Sequence, residues 1–228
     1  MVPLQHLEDK VSYLAFSSIM SILRFEFSLI LSDPTVQMEC VSRIMKSDSR
    51  WQPEIRTFWK ILRELFNVQK TASCGTHVHV APWQRRYSLA EVRTIAFACC
   101  YYERYIVSCM PTERRDYDYC RRNSKVVQRM GQLYRKKTRG GLAQIATDIL
   151  ATTNFNEIII YMQGSAEGNR RVLWNFRNLT SSGTIEFRGG RHMRGSERTV
   201  RWISFVVVFI LMALDEVSSR QPYNSRIQ

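Results

Sequence analysis

Cys74-Gly75-Thr76-His77-Val78-His79-Val80 alternates in character over its length and is bounded by turn residues, the two-residue period of a half-buried β-strand. On such a pleat His77 and His79 share a face with Gly75, while Val78 and Val80 point the other way, into a core. Neutral imidazole is a good ligand for divalent metals, and this spacing presents two of them on one surface. The same pattern also suits a polar strand face whose histidines are simply hydrogen-bonded.

A second stretch obeys the same logic. Thr184-Ile185-Glu186-Phe187-Arg188, after the turn Ser181-Ser182-Gly183, puts Glu186 and Arg188 on one face and Ile185 and Phe187 on the other. The pair reads either as an ion pair or as a metal-binding carboxylate beside an anion clamp, since guanidinium offers a planar fork. Val36–Met45 reads as a further strand carrying Glu39, Val41 and Arg43 on one face. Strands presenting Glu39, His77 and Glu186 together would make a mixed carboxylate–imidazole metal site.

Around these strands the chain reads as helices and shorter strands. Pro53 suits a first helical position, and Ile55, Phe58, Trp59, Leu62, Leu65 and Phe66 recur at helical spacing. Ser88 and Glu91 form a capping-box pattern for a helix that stops before Pro111. Leu142–Ala151 reads as a helix, Ile158–Met162 as a strand, and Val172, Trp174 and Phe176 alternate like another. The apolar helix Thr199–Leu214, with Ser196 as its N-cap, closes the domain. Ile22–Leu31 leans towards strand. A sheet with helices packed on one face is the expected architecture, in the α+β class.

The 228 residues fit one domain with a substantial core, and 45% apolar and 11% aromatic residues argue against general disorder. The expected organisation is an uncertain N-terminal segment over 1–32, a domain over 33–216 and a loose tail over 217–228. The net charge of +13 favours anionic partners. Its densest cluster, Arg114–Arg139, reads as a solvated basic surface or, with Tyr117, Tyr119 and Tyr134 as stacking platforms, as a nucleic-acid-binding segment. The six cysteines contain no CxxC pair and read as reduced thiols of a cytoplasmic protein. Val11–Leu31 is interrupted by Arg24 and Glu26, and Trp202–Leu214 falls short of the roughly 20 residues that span a bilayer, so no membrane segment is expected. A thiol hydrolase built on Cys74 is disfavoured, because regular pleating points it away from His77.

Taken in order, Glu39-Cys-Val-Ser42-Arg-Ile44, Cys74-Gly-Thr-His-Val-His-Val80, Asn175-Phe-Arg-Asn-Leu179 and Gly183-Thr-Ile-Glu-Phe-Arg188 resemble the motifs of the amidoligase family, from about Asp33 to Leu214. That family is similar to glutamine synthetase and glutamate–cysteine ligase. The resemblance implies an antiparallel half-barrel sheet with helices on its convex face, and ATP with two or three magnesium or manganese ions on the concave one. It implies a reaction in which ATP phosphorylates a small-molecule or peptide carboxylate and an amine attacks the acyl phosphate.

Carried over by position, Glu39, His77 and Glu186 would be metal ligands, and His79 would lie beside the nucleotide phosphates. Arg188 would hold the transferring phosphate or the substrate carboxylate. Asp33, Asn175, Arg191 and His192 would line the nucleotide or substrate side. The chain departs from the pattern in two places. Arg43 stands where the family prefers proline, and no Glu-x-Glu first strand is visible. Phe25-Glu26-Phe27 offers one glutamate, so a strand placing Glu26 beside Glu39 would rebuild the metal site, and its absence would leave an inactive fold that binds nucleotide or peptide.

Overall fold

The computed structural model describes residues 21–30, 37–48, 50–68, 74–135, 139–165 and 169–218. It is a mixed helix and sheet fold. Strand β1 (Ser21–Ile30) lies between β2 (Gln37–Val41) and β4 (Gly75–Pro82), β6 (Ile185–Arg191) follows β4, and β5 (Trp174–Asn175) lies beyond β6. The short β3 (Met45–Lys46) also pairs with β1, and every pairing between these strands is antiparallel.

The helices are α1 (Trp51–Leu65), α2 (Leu89–Cys109), α3 (Asn123–Val126), α4 (Gln128–Arg135), α5 (Arg139–Leu150), α6 (Phe155–Gln163) and α7 (Ser196–Ser218). None among the described residues is long and apolar enough to cross a membrane.

Directly paired residues in an antiparallel ladder share a sheet face. Val78 faces Phe187 across β4 and β6, Val80 faces Ile185, and Trp174 faces Phe187 from β5. All five are fully buried. Helix α7 covers this face. Its Trp202 meets Phe187 edge-on at 5.7 Å, and its Phe209 stacks on Trp174 at 5.0 Å. Burial of each such side chain contributes roughly 1.5–3 kcal/mol, which is what holds the helix to the sheet. Helix α1 joins by burying Trp51, Ile55, Trp59 and Leu62, one stripe at helical spacing, with the Trp59 indole donating to Thr199 Oγ1 at 2.8 Å.

Several expectations are corrected. The segment read as one strand, Val36–Met45, breaks at Ser42–Ile44, where Arg43 pairs with Glu54 of α1. Helix α1 starts at Trp51, so Pro53 is its third residue, still in the first turn where a missing N–H costs no bond; Leu65 and Phe66 are exposed. Ile158–Met162 is helical rather than a strand. Asn154 caps α6 by accepting from Glu157 N at 3.1 Å, and Gly164, at φ 82°, closes it in the left-handed conformation. These ends outweigh the strand preference of three consecutive isoleucines.

The Val172–Phe176 strand shrinks to two residues for a different reason. The Asn123 side chain accepts from Trp174 N at 3.0 Å and donates to Trp174 O at 2.9 Å, so an amide takes the place of a neighbouring strand. The capping box is present as read, with Ser88 Oγ accepting from Glu91 N at 3.2 Å. The described part of the 1–32 segment is β1, an interior strand of the sheet, and Val11–Met20 lies outside the described residues.

Gly190 is opposite Thr76 on the helix-covered face, and a methyl group there would strike the Thr76 carbonyl oxygen and the Trp202 indole. Neither the strand backbone nor a packed indole has room to move. Gly190→Ala is expected to cost about 3 kcal/mol, read as a lower urea midpoint at unchanged slope.

Candidate metal and anion site

The other sheet face carries the polar side chains. Glu26 on β1 is opposite His77 on β4, and His79 is opposite Glu186 on β6. Each histidine reaches both carboxylates. His77 Nδ1 is 3.3 Å from Glu186 Oε1 and 3.8 Å from Glu26 Oε2; His79 Nε2 is 3.6 Å from Glu26 Oε1 and 3.8 Å from Glu186 Oε1. Donor atoms of Glu26, His79 and Glu186 all lie within 4.8 Å of one another. The His77 imidazole and then that of His79 hold the Glu26 carboxyl well below the usual range, so it remains a carboxylate at neutral pH.

The cluster has supporting contacts. Glu186 is nearly inaccessible to solvent, and its Oε2 accepts from Asn175 Nδ2 at 2.6 Å while Oε1 accepts from Arg188 Nη1 at 2.5 Å. Asn175 is fixed in turn by Gln163 of α6, whose amide donates to Asn175 Oδ1 at 2.9 Å. His79 Nδ1 lies 3.2 Å from Thr184 Oγ1. When Nδ1 carries the proton and donates it there, Nε2 keeps its lone pair, and that atom is buried with no hydrogen-bond partner. Two carboxylates and such an imidazole fit a divalent cation such as magnesium or manganese.

The sequence-predicted residues are distributed as follows. His77, His79, Glu186 and Arg188 come together on this face. Glu39, opposite Ser28 two residues along from Glu26, shares the face but is exposed and stands outside the donor cluster. Asn175 is buried and holds Glu186. Asp33 lies outside the described residues. Arg191 is on the site face only because of a β-bulge. Thr76 is opposite Gly190 and Val78 is opposite Phe187, so β6 spends one residue more than β4, and the reversed parity sets Arg191 opposite Gly75. It pairs with Glu113 at 3.5 Å. His192 is buried just past the end of β6.

Sequence reasoning left Glu26 open, and the structure places its strand directly beside that of Glu39. The expected gap in the sheet is filled by β1, with Arg24 two residues before Glu26. Asn175, Gln163 and Thr184 were not legible as supports, because they act through pairings between distant segments.

The basic segment is not a uniform solvated surface. Asp116 pairs with Arg122 and Lys125 at 2.8 Å each, Arg121 pairs with Asp118 at 3.2 Å, and Arg129 with Asp148 at 2.7 Å. Arg114 is buried. Tyr117 and Tyr119 face each other at 5.8 Å, under the guanidinium groups of Arg114 and Arg171 respectively. Lys136 and Lys137 lie outside the described residues.

Removing the Asn175 amide leaves the buried Glu186 Oε2 and the Gln163 amide each short of a partner. Asn175→Ala is expected to cost about 3 kcal/mol in chemical denaturation, more than an exposed polar truncation. A loss below about 0.5 kcal/mol would show that the network does not hold Glu186.

None of the curated proteins and none of the solved structures matches the chain. The family described as "Putative amidoligase enzyme" matches residues 7–210, most of the sequence, including β1, β4 and β6, the three strands of the donor cluster. The chain belongs to this amidoligase family.

Proposed function

We propose that the chain is an ATP- and divalent-metal-dependent ligase that joins a carboxylate to an amine through an acyl phosphate. The reading rests on one observation above all, the convergence of Glu26, His79 and Glu186 with Arg188 on a single sheet face, in a member of a ligase family. On this reading the sheet is the half-barrel of a glutamine synthetase-like domain, and Glu26, His79 and Glu186 hold magnesium or manganese, with His77 beside them. The bound cation supplies charge neutralisation for the nucleotide phosphates.

In the first step a substrate carboxylate oxygen bonds to the γ-phosphorus of ATP as the bond to the β-phosphate oxygen breaks, releasing ADP. In the second, the amine nitrogen bonds to the acyl carbon, the carbon–oxygen bond to phosphate breaks, and inorganic phosphate departs with loss of one amine proton. Arg188, anchored by Glu186 Oε1 and by donation from Nε to the Tyr119 carbonyl at 3.3 Å, is oriented to steady the negative charge of the transferring group.

A second reading, a fold that binds nucleotide without turnover, is favoured by Arg24. This cation is on the same strand face as Glu26, 3.9 Å from its Oε1, so β1 presents a single acidic side chain beside a positive one.

Two measurements decide between these. Manganese binding, followed by the loss of the free-ion paramagnetic resonance signal, is expected in the wild type and weakened at least about 10-fold in Glu26→Gln and Glu186→Gln, as for lost ligand-shell groups. Equal binding by all three proteins removes the metal site. Arg188→Lys keeps a positive charge beside Glu186 but not the fork, so folding changes little while ADP release with a panel of amino-acid acceptors falls about 100-fold. Equal ADP release by wild type and variant removes the assigned role, and manganese binding without ADP release on any acceptor favours the inactive fold.

A further inference from the structure

Arg114 lies in the 3₁₀ turn Thr112–Arg114 after α2, and only 2% of its surface is exposed. Its Nη2 donates to the Arg188 carbonyl at 3.0 Å, but Nε and Nη1 are buried with no hydrogen-bond partner. No carboxylate among the described residues pairs with it, and its Cζ lies 5.1 Å from the centre of the Tyr117 ring. A buried guanidinium without a counter-charge costs stability, and an apolar side chain of similar volume would be better tolerated. Such a group calls for a partner that the described residues do not supply.

The position of the guanidinium says what kind of partner. A Cβ on Gly75 would lie 2.8 Å from Arg114 Nη2, 3.2 Å from Cζ and 3.4 Å from Nη1. Gly75 shares its strand face with His77 and His79, so the guanidinium occupies the space a side chain would fill in the row that carries the two imidazoles. The bulge brings Arg191 opposite Gly75, and Arg188 is the residue whose carbonyl Arg114 holds. Arg188, itself bonded to Glu186, and Arg191, paired with Glu113, thus both belong to the stretch of β6 beside the Gly75 end of β4.

We propose that Arg114, admitted by the absence of a side chain at Gly75, forms with Arg188 a subsite for an oxyanion of the substrate, a phosphate or a carboxylate. The two nitrogens that no group of the described chain engages, Nε and Nη1, are the donors it offers. A planar fork suits either oxyanion, which takes the place of the missing internal counter-charge. Assigning the anion to a ligase substrate rests on the proposed function; anion binding itself does not, and it is tested without metal.

The test is thermal melting in EDTA with potassium phosphate, potassium acetate or potassium chloride at matched ionic strength, on wild type, Arg114→Met and Gly75→Ala. The wild type is expected to melt roughly 3 °C higher in phosphate or acetate than in chloride, once the anion is about ten-fold above its dissociation constant. A rise in phosphate alone assigns the subsite to a phosphoryl group, and a rise in acetate alone to a carboxylate. Arg114→Met should melt no lower than wild type in chloride and show no anion-specific rise. Gly75→Ala should fold and lose the rise, because its methyl displaces the guanidinium. The proposal is overturned by a wild type that melts identically in all three salts, or by Arg114→Met keeping the response. If Arg114→Met does not fold, a response retained by Gly75→Ala overturns it. Loss of manganese binding with the anion response intact removes the ligase reading alone, and the converse removes the subsite alone.

Discussion

A carboxylate taken out of water has to be compensated where it lies, and Glu186 is that group in this fold. With Oε1 beside Arg188, His77 and His79 and Oε2 on Asn175, it ties β4, β5 and β6 into one polar lattice, and Gln163 extends the lattice to α6. All of these partners but Arg188 arrive from other segments, so the polar face takes its form only when the sheet is fully assembled. The opposite face can settle on hydrophobicity alone; this one depends on registry between strands.

The two faces of β6 divide the work. Ile185 and Phe187 anchor the strand beneath α7, whereas Glu186 and Arg188 stand over the site, and the rigidity of the first pair sets the precision of the second. Arg114 extends the same arrangement. Its turn is held down by donation to the Arg188 carbonyl, while Arg121 bridges to Val172 and Leu173. The loop after α2 is therefore fastened at both ends, to β6 at Arg188 and to the residues just before β5.

Where chemistry was written into a single strand, the sequence was readable. The pleat at His77 and His79 and at Glu186 and Arg188 follows from local alternation, and the core positions of Val78, Val80, Ile185 and Phe187 come with it. The capping box at Ser88 was legible for the same reason. What was not legible depended on contacts between distant segments. Three consecutive isoleucines favour a strand until Asn154 and Gly164 are weighed as helix ends, and Trp174 reads as part of a longer strand until Asn123 is known to satisfy its backbone. Arg114 lies in a run of charge that suggests a wet surface, and nothing local marks it as the one drawn inside. Glu26 was visible as a glutamate in a strand, but only strand order shows that β1 lies next to both β2 and β4.

The extra residue in β6 also governs how this stretch can change. In a regular strand Glu186, Arg188 and residue 190 would follow one parity, and Arg191 would fall among the aromatic side chains of α7. The Gly189-Gly190 pair absorbs the offset, so three charged groups point the same way at spacings of two and then three. Straightening the bulge at constant length would turn one guanidinium into the hydrophobic layer, whereas deleting one glycine along with the bulge would return it to the site face two residues after Arg188. The bulge and the length of the interval between Arg188 and Arg191 are therefore coupled: three residues with the bulge, or two without it, keep the charged groups on one face.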